Sequence, residues 1–253
     1  MQEHQNELYV GAPRAKEEFR KTIEVITGNL LRLGKFAGER MLDVGCGEGG
    51  FTTVLGQRFR EVHGIDVQDA FLETFRAAVA GDPKYTVTHM SASAMTYPDA
   101  HFDTIVTIET LEHVPDLAGA AREIARVLRP GAELVITVPN RWFPFENHGI
   151  QIGSWERHGR IPLLPYLPWL HRRISIARVF KASDLDALFL PHGLHRAGLG
   201  YAWPTFEHPG NFLQPVLKPL FGVMRAMERS PLRMFGSSVI VRYVKGEPVA
   251  EKP

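Results

Sequence analysis

The 253-residue chain has one cysteine, Cys46. That excludes an internal disulfide framework and a zinc site of clustered thiolates, and it fits a reducing compartment. Neither sign of charge is in excess: 29 Lys and Arg against 28 Asp and Glu leave +1, too little for a general polyanion binder. A basic patch, if there is one, must be local. No uncharged apolar run reaches the roughly 18 residues of a membrane span. The opening stretch MQEHQNELYVGAPRAKEEF carries acidic residues and no apolar centre, so a secretory leader is not expected there and a cytoplasmic protein is. Internal repeats and low-complexity tracts are also lacking. With 44% hydrophobic and 23% charged residues, the composition is that of a globular chain rather than a collagen-like or disordered one.

What is present is alternation. Short β-rich runs at Arg40–Val44, Glu61–Val67, Tyr85–Met90, Phe102–Ile108 and Ala132–Val138 alternate with helical spacing over Glu17–Leu33, Phe51–Phe59, Asp69–Ala80 and Leu117–Leu128. This order predicts an α/β fold, a parallel sheet with helices on both faces. Beyond Val138 the texture changes. Pro139–Lys181 is rich in proline and aromatics, among them Trp142, Phe143, Phe145, Trp155, Tyr166 and Trp169, and reads as a lid inserted after the fifth strand. A helix over Ser183–Phe189 with Ser183 as N-cap, a strand near Leu194–Trp203, a proline-broken apolar insertion over Pro204–Gly236 and a last strand at Ser238–Val244 complete the expected order.

The densest local signal is Met41-Leu42-Asp43-Val44-Gly45-Cys46-Gly47-Glu48-Gly49-Gly50-Phe51, where a strand should pass into a helix. Glycines there let backbone approach a ligand and leave helix N-terminal amides free to donate. Gly45, Gly47 and Gly50 also satisfy G-x-G-x-x-G, which by itself fits a bare tight turn or a dinucleotide site as well. Asp66, closing the second strand, is placed to accept hydrogen bonds from ribose hydroxyls in either kind of nucleotide site. Asp43 discriminates, because a carboxylate two residues before Gly45 suits a cationic amino group and would repel a pyrophosphate.

Together with Tyr97–Asp103, Leu111–Asp116 and Val127–Leu134, these motifs make the segment 38–140 resemble class I S-adenosylmethionine-dependent methyltransferases. The kin are of the methyltransferase type 11 or ubiquinone-pathway O-methyltransferase kind. The resemblance implies a Rossmann-like, seven-stranded, mostly parallel sheet with an antiparallel final strand. With the changes of texture along the chain, the expectation is one domain over 1–253, with a cofactor core at 38–140, an acceptor lid at 141–181 and a second insertion at 204–236. Carried over residue by residue, the loop Gly45, Cys46, Gly47 and Gly49 flanks the methionine part of S-adenosylmethionine. Asp43 meets its amino end, Asp66 its ribose and Val67 its adenine. The acidic residue that the family often carries after the third strand is Ser91 here, which leaves the backbone of Ala92 and Ser93 as adenine contacts. Glu109, after the fourth strand, is a further cofactor-side candidate.

A sulfonium methyl is already activated, so the protein must mainly align a nucleophile and exclude water; a hydroxyl acceptor also needs a base or a metal. Glu109-Thr110-Leu111-Glu112-His113 attracts attention, since on a helix Glu109, Glu112 and His113 would share a face. This E-x-x-E-H pattern resembles that of ubiquinone-pathway O-methyltransferases and of small-RNA 3′-terminal 2′-O-methyltransferases. There, such a cluster with a distant histidine holds a metal on vicinal hydroxyls. The resemblance implies Glu109, Glu112, His113 and His148 as ligands of a divalent ion such as Mg²⁺. Metal-free relatives use the Glu-His pair to order the loop beneath the cofactor, so acid-base roles for Glu112, His113 and His148 stay open. Cys46 reads as a packing residue, and His63, His89, His101, His192, His195 and His208 as structural histidines.

Between Arg141 and Lys181 there are seven Lys and Arg against two Asp and Glu. Basic residues interleave with apolar ones in Ile161–Arg173, and a second apolar run, Phe212–Phe221, follows. That mixture suits a lipid-like acceptor and peripheral contact with an anionic membrane, or equally a folded lid whose arginines are solvated. Nucleic acid is not the expected partner. The expected activity is O-methylation of a small or lipid-linked hydroxylated molecule. The alternatives are metal-assisted 2′-O-methylation of RNA ends, N-methylation of a small amine, and cofactor binding without catalysis.

Overall fold

The computed structural model describes residues 23–24, 26–157, 161–203 and 230–247. The expected helix over Glu17–Leu33 lies only in part among them, residues 26–33 being helical. Most of the insertion at Pro204–Gly236, with His208 and the run Phe212–Phe221, lies outside the described residues.

One seven-stranded sheet organises the chain. In sequence the strands are β1 (Arg40–Val44), β2 (Glu61–Asp66), β3 (Tyr85–His89), β4 (Phe102–Ile108), β5 (Leu128–Pro139), β10 (Leu194–Ala202) and β11 (Ser238–Lys245), and in space they run β10-β11-β5-β4-β1-β2-β3. β11 is antiparallel to both its neighbours and the other pairs are parallel. The helices are α1 (Gly50–Gly56), α2 (Asp69–Ala78), α3 (Leu117–Val127), α4 (Pro168–Ile174) and α5 (Ala182–Phe189).

Why the central strands carry apolar residues on both faces is visible in the core. Successive side chains of a strand point to opposite faces. Leu42, Ile105, Leu134 and Ile136 pack against Ile124, Val127, Leu185 and Phe189 of α3 and α5. Their sequence neighbours Met41, Val106 and Val135 pack on the other face with Leu30, Phe36, Leu55 and Phe59. Both faces are therefore covered, as a parallel sheet requires.

Three expectations change. β5 begins at Leu128, so Pro130-Gly131 lies inside the strand at a register irregularity between Phe102 and Thr104 rather than ahead of it. The cap of α5 is Lys181, not Ser183: the Lys181 amide donates to the Asp184 carboxylate at 2.8 Å, which puts Ser183 inside the first turn. The lid also has regular structure of its own. It contains β6 (Phe145–Glu146) paired with β9 (Ile161–Pro162), β7 (Ile150–Ile152) paired with β8 (Trp155–Arg157), a 3₁₀ turn at Leu164–Tyr166, and α4. Its two ends meet where the Phe180 amide donates to the Pro139 carbonyl and the Arg141 amide to the Phe180 carbonyl, both at 2.9 Å. Among the described residues no helix is long and apolar enough to cross a membrane.

Chain order places the site. From β1 the sheet grows outward through β2 and β3, whereas β4 adds on the other side of β1. Strand order reverses between β1 and β4, and in open parallel sheets ligands bind outside the carboxyl ends at that reversal.

Candidate active site

The glycine loop leaves β1 at this point. Gly45 has φ +79°, and a Cβ there would stand 2.2 Å from the Thr110 side chain beyond β4, so the two loops approach as closely as bare backbone permits. The Gly45 and Cys46 amides both donate to the Ile65 carbonyl, at 2.8 and 3.0 Å, pinning the loop to β2. Gly47 differs: at φ +51° it has nothing within 4 Å of where a Cβ would be.

Asp66 faces this loop. Its carboxylate accepts from the Gly47 and Gln68 amides, each at 3.0 Å, and its remaining lone pairs can take hydroxyl donors. Val67, beside it, is 59% exposed, an apolar surface that a flat aromatic ligand would cover. Ala92 and Ser93 follow β3 at the same edge of the sheet; the Ser93 hydroxyl lies 3.1 Å from that of Ser91. Cys46 is buried against Leu72 and Phe75, and burial pushes its thiol far above the ordinary range, so it packs and does not attack.

Asp43 is buried beneath the loop. One oxygen accepts from the Thr52 hydroxyl at 2.6 Å, and the other, Oδ1, has no partner among the described residues. Burial pushes this carboxyl up to about 7, against the opposing hydrogen bond from Thr52. The orphaned Oδ1, the open face of Gly47 and the bare Val67 fit a ligand with an ammonium at one end and an adenine at the other.

The acidic motif after β4 is not a helix. Glu109 has φ +49°, its amide extends the ladder to the Thr137 carbonyl at 2.8 Å, and only Leu111–His113 form a single 3₁₀ turn. The shared helical face is thus replaced by convergence from separate segments. Ligand-type atoms of Glu112, His113 and His148 lie within 4.8 Å of one another, and His148 Nε2 is 3.8 Å from Glu112 Oε1. Glu109 falls outside that trio. Its Oε1 is buried without a hydrogen-bond partner among the described residues; burial pushes its carboxyl upward against His148 and Ser238, and its charge helps to push Glu112 up as well.

Glu112 is the anomaly of the site: 2% exposed, with neither oxygen hydrogen-bonded among the described residues. Burial, then Glu109, pushes it well above the usual carboxylate range. A buried carboxyl left this way costs stability unless something binds it. Two such oxygens with two imidazoles make a donor set that a divalent cation accepts. Burial, with His148 and Arg178 nearby, holds His113 below the ordinary imidazole value, which favours the neutral ring with a lone pair to offer. The insertion after β5 covers this side, where the Arg178 amide donates to the Glu112 carbonyl at 3.2 Å and the Ile176 amide to the Gly149 carbonyl at 3.3 Å.

Two residues of this neighbourhood escaped the sequence reading. Glu146 and His171, both buried, stand behind His148. Glu146 sits two positions before His148, a pattern that was there to be read, whereas His171 is 25 residues from Glu146 and only folding brings it near. His192 and His195, in contrast, lie at the opposite edge of the sheet with Asp99, Arg126 and Lys245.

A seven-stranded sheet of this order with a glycine loop at its reversal point defines the class I methyltransferase fold. The solved structure of an S-adenosylmethionine-dependent methyltransferase from Mesorhizobium loti superposes with TM-score 0.60 at 19% identity, covering 86% of this chain and 96% of that one. Residues 42–136 match the family described as "Methyltransferase domain". Among relatives in sequence, a ubiquinone biosynthesis O-methyltransferase of Alkalilimnicola ehrlichii is 35% identical over 111 residues, 43% of this chain and 45% of that protein. A 2-methyl-6-phytyl-1,4-hydroquinone methyltransferase of Synechocystis is 31% identical over 159 residues, 62% of this chain and 48% of that protein. The chain thus spans about half the length of the curated relatives it matches.

Proposed function

We propose that the protein transfers the methyl group of S-adenosylmethionine to a hydroxyl oxygen of a small or lipid-linked acceptor. The observation that carries this reading is Glu112, a buried carboxyl with neither oxygen hydrogen-bonded among the described residues, flanked by His113 and His148 at the edge where the cofactor loop emerges. An amine acceptor loses its proton without such machinery, whereas a hydroxyl needs it. The names of the relatives, an O-methyltransferase of ubiquinone biosynthesis among them, agree with oxygen as the acceptor atom.

S-adenosylmethionine, when bound, supplies a methyl group activated by its positive sulfur. Asp43 would hold its ammonium and Asp66 its ribose hydroxyls. Val67 and the Ala92-Ser93 backbone would flank its adenine, with the Gly45–Gly49 loop along the methionine portion. A divalent ion such as Mg²⁺, held by Glu112, His113 and His148 with Glu109 behind them, would lower the pKa of an acceptor hydroxyl. Without an ion, His113 or His148 would take the hydroxyl proton on a ring nitrogen.

The lid supports an acceptor with a lipid tail. Trp155 and Trp169 are 52% and 69% exposed, Leu163 and Leu167 are exposed as well, and Arg172 and Arg173 of α4 lie on the same insertion. Apolar rings beside cations suit an anionic bilayer surface.

The test is transfer of labelled methyl from S-adenosylmethionine to catechol and quinol acceptors, with and without chelator. Loss of transfer under chelation, with cofactor affinity kept, selects the metal-assisted version; full activity in excess chelator selects the histidine base. Transfer to amines or RNA 3′ ends instead would replace the acceptor assignment. Cofactor binding with no transfer to any acceptor would sink the catalytic reading.

A further inference from the structure

His148 has a second environment on the side away from Glu112. Its Nδ1 lies 3.3 Å from Glu146 Oε1, and the same oxygen accepts the His148 backbone amide at 2.7 Å. The other oxygen of Glu146 lies 2.5 Å from His171 Nε2. Glu146 is 1% exposed and His171 3% exposed. One belongs to the short strand β6 and the other to α4, so both oxygens of a buried carboxylate are held by groups from separate pieces of the lid.

We propose that Glu146, held in place by His171, is a positioning residue that fixes His148 as the Nδ1–H tautomer and so presents Nε2 to Glu112 and His113. The reasoning is one of donor and acceptor accounting. A carboxylate with two lone-pair-bearing oxygens can only accept, so the ring nitrogen facing Glu146 must carry the proton. In a neutral imidazole the other nitrogen is then bare. That bare nitrogen is the one 3.8 Å from Glu112. Both versions of the proposed chemistry need it: a cation can be bound only by an unprotonated nitrogen, and a base can accept a proton only there. A carboxylate behind a working histidine also sets its ring orientation. His171 completes the arrangement, because a donor on the second oxygen stops the carboxylate from rotating away.

The inference rests on the assignment of His148 to the acceptor side, and its test separates the two. Two-bond proton–nitrogen spectra of isotope-labelled full-length protein, free of cofactor and metal and at alkaline pH where the ring is neutral, read which nitrogen is protonated. His148 is identified by its loss in His148→Gln. The expected pattern is Nδ1–H with bare Nε2. Glu146→Gln should mix or reverse the tautomers and lower transfer about 10–100-fold, with S-adenosylmethionine affinity unchanged. His171→Gln, which keeps an N–H donor, should retain more activity and more of the Nδ1–H form than His171→Leu. An Nε2–H ring in the wild type overturns the proposal, and so does a Glu146→Gln protein with wild-type spectrum and rate. If Glu146→Gln does not fold, the wild-type spectrum and the His171 pair still decide. The spectrum needs no acceptor, so failure to find one leaves this test standing, and an Nε2–H ring leaves methyl transfer itself untouched.

Discussion

Replacing Asp43 by asparagine should flatten a pH dependence of stability that the wild-type protein carries. The carboxyl of Asp43 moves from 3.8 in the unfolded chain to about 7 in the fold, through burial beneath the glycine loop, with Oδ1 unpartnered. A raised folded value means that the native state binds the proton more tightly, so the contribution is full below 3.8 and is lost as pH rises through about 7. From pH 5 to pH 9 the part lost spans about two decades of proton affinity, or ~2.7 kcal/mol at ~1.36 kcal/mol per decade. Urea unfolding of both proteins across this range reads the difference directly; other titrating groups cancel in the comparison. The cofactor supplies a second arm. If an ammonium sits on Asp43, S-adenosylmethionine needs the ionised form, and calorimetry should find its affinity falling by up to about tenfold per pH unit below about pH 7. Asp43→Asn should bind more weakly and show no such slope. Equal pH profiles of stability in the two proteins would refute the burial argument, and equal cofactor affinity would refute the ammonium contact.

Asp66→Ala should leave the sheet intact and weaken S-adenosylmethionine by about 1.5–3 kcal/mol, the range for hydrogen bonds to a charged group; unchanged affinity would remove Asp66 from the ribose site. Gly45→Ala combines φ +79° with a Cβ 2.2 Å from Thr110, and should cost about 3 kcal/mol or more in chemical denaturation; a cost below about 1 kcal/mol would mean that the two loops are looser than described. Glu112→Gln should stabilise the ligand-free protein at alkaline pH, because burial and Glu109 disfavour its carboxylate, while abolishing transfer to hydroxyls; retained turnover would free Glu112 from any role. Binding to anionic vesicles should weaken with salt and fall in Trp169→Ala and Arg172→Ala; no binding of the wild type at low salt would favour a soluble acceptor.

Much of the fold was legible in the residues because its causes are local. β1 and β4 lie where the runs Arg40–Val44 and Phe102–Ile108 predicted, since a strand covered on both faces carries apolar β-branched or long side chains on both. Asp43, the glycines and Asp66 could be read as one loop with its acidic partners, because positive φ and close approach restrict residue type position by position. The N-cap of α5 and the E-x-x-E-H helix were misplaced for the same reason in reverse. Periodicity cannot register that Asp184 reaches back to Lys181, nor that the chain leaving β4 stays on the ladder through Glu109 and turns only once.

The sequence by itself determined the α/β alternation, the glycine loop and the kinds of group available for chemistry. Tertiary structure alone decided that β11 enters between β5 and β10, and that Glu112 is buried with neither oxygen hydrogen-bonded among the described residues. It also decided that Glu146 and His171, 25 residues apart, close on the far side of His148. Backbone preference acts over a few residues and leaves its mark in the pattern. The partner of a buried polar group is set by which distant segments the packed core brings together, and no local pattern encodes that.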